Sequence, residues 1–422
     1  MTAVALPRFI RVRQKFPPSE TVDIERALRR EFQQVRARVK PGARVAVAVG
    51  SRGIANLDRV IRAVLDELRL AGAAPFIVPA MGSHGGATPD GQVRLLADYG
   101  VTEERMGAPI RPAMDTLRLG STADGVEVLW SAEAARSDGV VVVNRVKPHT
   151  DFKSETLGSG LRKMLVVGLG KQAGAANFHA AAMRLGYERV LAAAAKVTLA
   201  AAPVLCGVAV VENQFHETVR LEALLPHEIE SREPELFRDS RRLMPGLPFD
   251  DIDLLIVDRL GKNISGAGMD PNVTGRGIHG YSGSLVGSSA KPVVRRLFVR
   301  DLTPESHGNA VGVGLADFTT TRLVRAMDER VTFMNALTAL SLQSVKVPIH
   351  FESDRECVVH ALESLGMADT RRARVARITD TLSLEHMHAS EEYSQEICGR
   401  ADLATEGELE ELRFDAAGNL AG

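Results

Sequence analysis

Apolar β-branched runs and amphipathic stretches alternate along this chain, and that alternation restricts the fold more than any other feature. "TVDIERALRREFQQVRARV" (21–39) carries apolar residues at helical spacing, "RVAVAVG" (44–50) is a β-branched run closed by glycine, and "NLDRVIRAVLDELRLAG" (56–72) is helical again and stops at Gly72. "APFIVPAMG" (74–82) and "GVVVVNRV" (139–146) are further buried-strand candidates, each running into a loop. Strands alternating with helices predict an α/β domain with a largely parallel sheet. Ligands of such sheets gather beyond the carboxyl ends of the strands, so the polar residues just after these runs are the candidates for function.

A chain of 422 residues, 45% hydrophobic and 25% charged, exceeds what one core usually encloses, which is about 250 to 300 residues. The stretch "EPELFRDSRRLMPGLPFDDID" (233–253) concentrates charge with Pro234, Pro245, Pro248 and Gly246, and reads as an interdomain crossing with the boundary near Pro245. Residues 1–245 are then one domain and 246–422 a second, smaller one. The second has its own strands, "DLLIVD" and "VVRRLFVRDL", and helices around "TTTRLVRAMDERV" and "FMNALTALSL". The expected architecture is two α/β domains with mainly parallel sheets and an active site in the interdomain cleft.

Lys plus Arg (52) nearly cancels Asp plus Glu (53), which predicts neither a nucleic-acid footprint nor a polybasic membrane surface and favours a small-molecule ligand. Cys206, Cys357 and Cys398 are widely spaced without a C-x-x-C pair, so neither a disulfide framework nor a thiolate zinc site is expected, and a reducing cytoplasm fits. "MTAVALPRFIRVRQKFPP" is broken by Pro7 and charges, and no apolar run approaches the roughly 18 residues of a membrane span, so neither export nor membrane insertion is expected.

"MLVVGLGKQAG" (164–174) satisfies G-x-G-x-x-A through Gly168, Gly170 and Ala173, the spacing of a dinucleotide-binding turn. That unit also requires a second strand ending in an acid roughly 20 positions on. Here "GYERVLAAAAKVTLAAA" follows, alanine-rich and helical, so the alternative is a tight turn packing against a helix. An NAD-dependent 2-hydroxy-acid dehydrogenase stays open at this point, as does a non-catalytic binding protein.

The surroundings of those glycines carry more chemistry. "NRVKPHTDFKSETLGSGLRK" lies upstream and "GAANFHAAAMRLG" downstream, setting His149, Lys163 and His179 around one glycine-rich connection. "IVPAMGSHGGAT" places His84 just after a strand. Taken singly, a loop histidine is ordinarily solvated and Lys163 an ordinary surface lysine; their combination is informative.

Gly-Ser-His after a strand, then Pro-His, then Ser-Gly-x-Arg-Lys, then a histidine on the following helix resembles the nickel-dependent lactate racemase family. Lys163 and His179 stand sixteen positions apart, that family's interval between its cofactor-bearing lysine and its nickel-ligating histidine. The resemblance runs from "AVAVGSRG" to "NFHAAA" and is looser beyond Asp253. It implies that Lys163 holds a nickel-pincer nucleotide, a pyridinium-3,5-bisthiocarboxylic acid mononucleotide joined through a thioamide, built by separate enzymes and binding nickel through carbon and two sulfurs. His179 would be the fourth ligand, and Gly158, Gly160, Gly168 and Gly170 would let backbone approach the cofactor. The implied reaction is racemisation or epimerisation of a 2-hydroxy acid, in which a hydride acceptor spares the enzyme a carbanion. His84 and His149 would exchange the hydroxyl proton, one for each enantiomer, and Arg52 would grip the carboxylate.

The chain departs from the family pattern in several places. Val49 stands where an acid usually precedes the arginine, four extra residues separate His149 from Lys163, and the only tryptophan, Trp130, lies in the first half. "DRLGKNISGAGMDPNVTGRG" is similar to the family's substrate-contact loop without its glutamine and lysine pair, leaving Lys262 and Arg276 as candidate contacts.

Overall fold

The computed structural model describes residues 4–50, 54–150, 152, 154–277 and 291–421. It is mixed α/β with mainly parallel sheets, in two compact units. One comprises Ser19–Met244 with Thr338–Leu340; the other comprises Met1–Pro18 with Pro245–Leu337 and Ser341–Gly422.

The 19–244 unit is built on five strands in the spatial order Ala74–Pro79, Arg44–Val49, Gly139–Arg145, Val204–Glu212, Thr218–Leu224. The first four run parallel and the last antiparallel. "VAVAV" and "VVVV" are apolar at every position because both faces of this sheet are covered. Val45, Val47 and Val49 pack with Leu28, Ile61, Val64 and Leu68 from the helices Ile24–Glu31 and Leu57–Leu70. Ala46, Ala48, Val140 and Val142 face the other way, toward Trp130, Leu161, Leu165 and Phe237. The period-2 pleat thus assigns alternate residues of one run to two cores.

The crossing expected over 233–253 is shorter than its prolines suggest. The helix Ile229–Leu243 continues through Pro234, and extended backbone begins only at Met244. Proline inside a helix costs about 3 kcal/mol. Here Ile229, Leu236 and Phe237 are buried against the sheet, and Glu233 reaches a buried arginine, so packing outweighs the lost amide.

The first eighteen residues, read above with the 1–245 segment, lie instead in the other unit. Strand Arg8–Gln14 pairs antiparallel with His386–Ser390 and Leu403–Glu411. These belong to an eight-stranded sheet ordered 349–351, 318–320, 293–302, 251–260, 375–378, 386–390, 8–14, 403–411. Its first five strands are parallel and its last three antiparallel. No helix among the described residues is long and apolar enough to cross a membrane.

The segment "MLVVG" is a π-helical turn, Met164–Gly168, entered from the short helix Leu161–Lys163 and closed by the Leu169 amide on the Met164 carbonyl at 2.9 Å. Trp130 is fully buried beside it and donates its indole N–H to the Leu165 carbonyl at 2.7 Å. The helical path breaks at Lys171, whose φ of +54° lies in the left-handed region rarely entered by non-glycine residues. Lys171 opens the helix Lys171–Leu185, and its fully buried amine donates to the Pro79 carbonyl at 2.7 Å, bracing the end of strand Ala74–Pro79. Burial disfavours the charged form and pushes this amine from its ordinary 10.5 down to about 8.

In the unfolded chain Lys171 keeps its proton up to its ordinary pKa, so between about pH 8 and 10.5 the unfolded state binds more protons than the folded one. The cost of burying the charge, on the order of 3 kcal/mol, is therefore complete below pH 8 and relieved as pH rises through that window. Stability measured by guanidinium titration should rise more steeply with pH in wild type than in K171M, and parallel slopes would refute the assignment. W130F, which leaves the Leu165 carbonyl buried without its donor, should cost about 1–3 kcal/mol; an unchanged denaturation midpoint would show that the bond contributes nothing.

Candidate functional site

Four adjacent parallel strands of the 19–244 unit end on the same edge, so the segments after Val49, Pro79, Arg145 and Glu212 emerge side by side. The chain after Arg145 is drawn into a closed loop. Lys147 and Ser159 exchange two backbone hydrogen bonds, each 2.8 Å, and the Asn144 amide donates to the Gly160 carbonyl at 2.8 Å. A Cβ on Gly158 would stand 2.3 Å from the Lys147 carbonyl oxygen and 2.4 Å from the Phe237 ring; one on Gly160 would stand 2.0 Å from Glu233 Oε1. Protein atoms thus occupy the spaces these two glycines leave, and the glycines let the loop close.

Closure brings together side chains fourteen positions apart. Lys163 Nζ lies 3.0 Å from His149 Nε2 and 3.4 Å from Ser159 Oγ. His149 is buried; Lys163 is half-buried. The neighbouring Arg162 takes the opposite role. Its Nε meets Glu233 Oε2 at 2.5 Å, both side chains are buried, and its Nη2 donates to the Thr156 carbonyl at 3.1 Å. Burial raises the Glu233 carboxyl above its ordinary value against the opposing pull of the Arg162 charge. This pair anchors the short helix that presents Lys163.

An aromatic group adjoins the lysine–histidine pair. Tyr187 Oη is 3.2 Å from the same His149 Nε2. The His149 ring packs against Phe152 at 4.7 Å and Tyr187 at 4.8 Å, and Phe152 stacks on Tyr187 at 4.1 Å. Phe178 meets Tyr187 edge-on at 4.9 Å, and His179 meets Phe178 at 5.4 Å. Lys163 and His179 are therefore joined through His149, Tyr187 and Phe178. A straight helix would carry sixteen residues about 24 Å; the break at Lys171 gives the second half a different course.

His84 is half-buried on the loop after strand Ala74–Pro79. The buried Gln92 side chain donates to the Gly82 and His84 carbonyls at 3.0 and 3.3 Å, and the Gly82 amide donates to the Gly168 carbonyl at 3.1 Å. The loop bearing His84 is thus fastened to the π-turn that follows Lys163. Arg52 lies outside the described residues. Just beyond it, the Ala55 amide donates to Glu212 Oε1 at 2.7 Å, while Glu212 Oε2 holds Arg145 at 2.5 Å. Lys262 and Arg276 belong to the other unit. Lys262 Nζ donates to the Gly266 carbonyl at 2.6 Å. The buried Arg276 guanidinium is committed to Asp317 at 2.8 Å and to the carbonyls of Val294, Arg295 and Leu315.

The glycine motif is not a dinucleotide turn. A π-helical turn rather than a strand precedes Gly168, and the helix Lys171–Leu185 leads through Gly186 into the helix Tyr187–Ala201. Sequence reasoning missed Tyr187, Phe152, Lys171 and Glu212. Glu212 alone gave a signal, as an acid closing an apolar strand.

No curated protein matches the chain. The structure of the lactate racemase apoprotein from Thermoanaerobacterium thermosaccharolyticum matches with a TM-score of 0.51 and 14% identity, covering 88% of this chain and 93% of that one. That likeness shows a shared fold. Residues 8–189 match the model of the lactate racemase N-terminal domain. Over the segment that holds His84, His149, Lys163 and His179, this chain is therefore similar to the lactate racemase N-terminal domain.

Proposed function

We propose that this chain is a racemase or epimerase of a 2-hydroxy acid that works through a lysine-tethered nickel-pincer nucleotide. The observation that carries the reading is the Lys163–His149 contact at 3.0 Å, joined to His179 through Tyr187 and Phe178. The match of residues 8–189 to the lactate racemase N-terminal domain supports it.

The residues suit the group. Lys163 offers a half-buried amine at the end of a clamped loop, a fit anchor for a thioamide. His179 offers a half-buried imidazole, a suitable nickel donor. Among the described residues no group of three or more His, Cys, Asp or Glu could hold an ion unaided, so the reading asks the protein for one donor and the nucleotide for the rest. Gly158 and Gly160 contribute by closing the loop that presents Lys163. When bound, the nucleotide supplies a ring that accepts and returns a hydride, which lets the carbon–hydrogen bond at the chiral centre break without a carbanion.

The chain's own residues do the rest. His149 takes or returns the substrate hydroxyl proton for one enantiomer and His84 for the other. Arg52 pairs with the carboxylate through a bidentate guanidinium, and Glu212 steadies the chain just beyond it through the Ala55 amide. Converting the Lys163 amine to a thioamide removes a positive charge beside His149 and so makes that ring a better base.

Protein made alongside the cofactor-building enzymes should show an adduct on Lys163 by peptide mass spectrometry; an unmodified lysine there would overturn the reading. H179A should keep the adduct and lose nickel. In a screen of 2-hydroxy acids, H84A and H149A should lose isotope exchange at the chiral carbon while remaining folded.

A further inference from the structure

Two donors converge on one nitrogen. His149 Nε2 has a single in-plane site for a hydrogen bond, and both Lys163 Nζ at 3.0 Å and Tyr187 Oη at 3.2 Å reach it. A charged lysine only donates, so in this arrangement Nε2 accepts and the ring proton sits on Nδ1. A phenol differs, because it donates and accepts. When His149 has taken a proton, Nε2 carries hydrogen and needs an acceptor. The Tyr187 oxygen can serve, whereas an ammonium or thioamide nitrogen cannot. Of these two partners only Tyr187 suits both protonation states of the ring.

The placement of Tyr187 is built into the backbone. Gly186, with φ of +89°, is the single residue between the helices Lys171–Leu185 and Tyr187–Ala201, and that left-handed step puts Tyr187 in the first turn of the second helix. The ring is buried, stacks on Phe152 and meets Phe178 edge-on. One side chain therefore touches both the loop that carries His149 and the helix that carries His179.

We propose that Tyr187 is the positioning residue of His149: its hydroxyl holds Nε2 and its ring fixes the imidazole relative to the helix bearing His179. This rests on the acid–base role given to His149 above, but its test does not require the cofactor. In unmodified protein labelled with ¹⁵N-histidine, the His149 side-chain signals are assigned by their loss in H149N. K163M should leave Nε2 with the shift of a hydrogen-bonded acceptor, because Tyr187 still holds it. Y187F, which keeps the ring and removes the hydroxyl, should move that signal, and the double variant K163M/Y187F should move it further from the wild-type value than either single change. If Y187F leaves the His149 signal unmoved, or if K163M alone releases the ring, Tyr187 does not hold His149 and the proposal falls. Failure of the Lys163 adduct test would leave these outcomes intact, so the two readings fail separately.

Discussion

The pair of backbone hydrogen bonds between Lys147 and Ser159 is the contact on which the site depends. Strand Gly139–Arg145 ends two residues earlier, and the helix bearing Lys163 begins two residues later. Closing the loop there fixes where His149 leaves the sheet and where Lys163 returns to it. A side chain at Gly158 would meet the Lys147 carbonyl, so clamp and glycine imply one another. The Arg162–Glu233 pair secures the return from the other side of the short helix. Removing one partner of such a buried pair typically costs about 3–5 kcal/mol, because the other charge is stranded out of water.

From this clamp the arrangement extends along the irregular stretch 164–171. A π-turn and a left-handed lysine are both uncommon, and both sit between the two residues to which the cofactor reading gives its tether and its ligand. The π-turn receives the Trp130 indole and, through the Gly168 carbonyl, holds the loop of His84. Lys171 braces the last residue of the strand that leads to that loop. The irregular backbone therefore serves three segments at once, which gives a physical reason for tolerating its strain.

What the sequence made legible was what local pattern decides. The runs "RVAVAV" and "GVVVVNR" read as buried strands because β-branched residues on a sheet covered on both faces leave no polar alternation. Parallel strands then put His84 and His149 at strand ends without further information. Non-local packing hid the rest. "MLVVG" has the composition of a strand, but its place between Trp130 and the sheet makes it helical. Pro234 signals a break that the buried face of its helix overrides. Tyr187 stands thirty-eight positions from His149, and no local pattern announces a contact across that distance. The membership of strand Arg8–Gln14 was equally hidden, since its partners lie some 375 to 400 residues downstream.

That last pairing bears on how the molecule comes into being. On a ribosome the chain emerges from its amino end, and domains generally form as units while synthesis proceeds. The five-stranded sheet of the 19–244 unit has all its strands once residue 224 is out, and its contacts can form early. Strand Arg8–Gln14 precedes that unit in the chain and must wait until His386–Ser390 and Leu403–Glu411 have been translated. Until those partners emerge, its hydrogen-bonding edges stay open. A strand made before every strand of the 19–244 unit is among the last to be paired, so completion of the eight-stranded sheet reports that translation has passed Glu411.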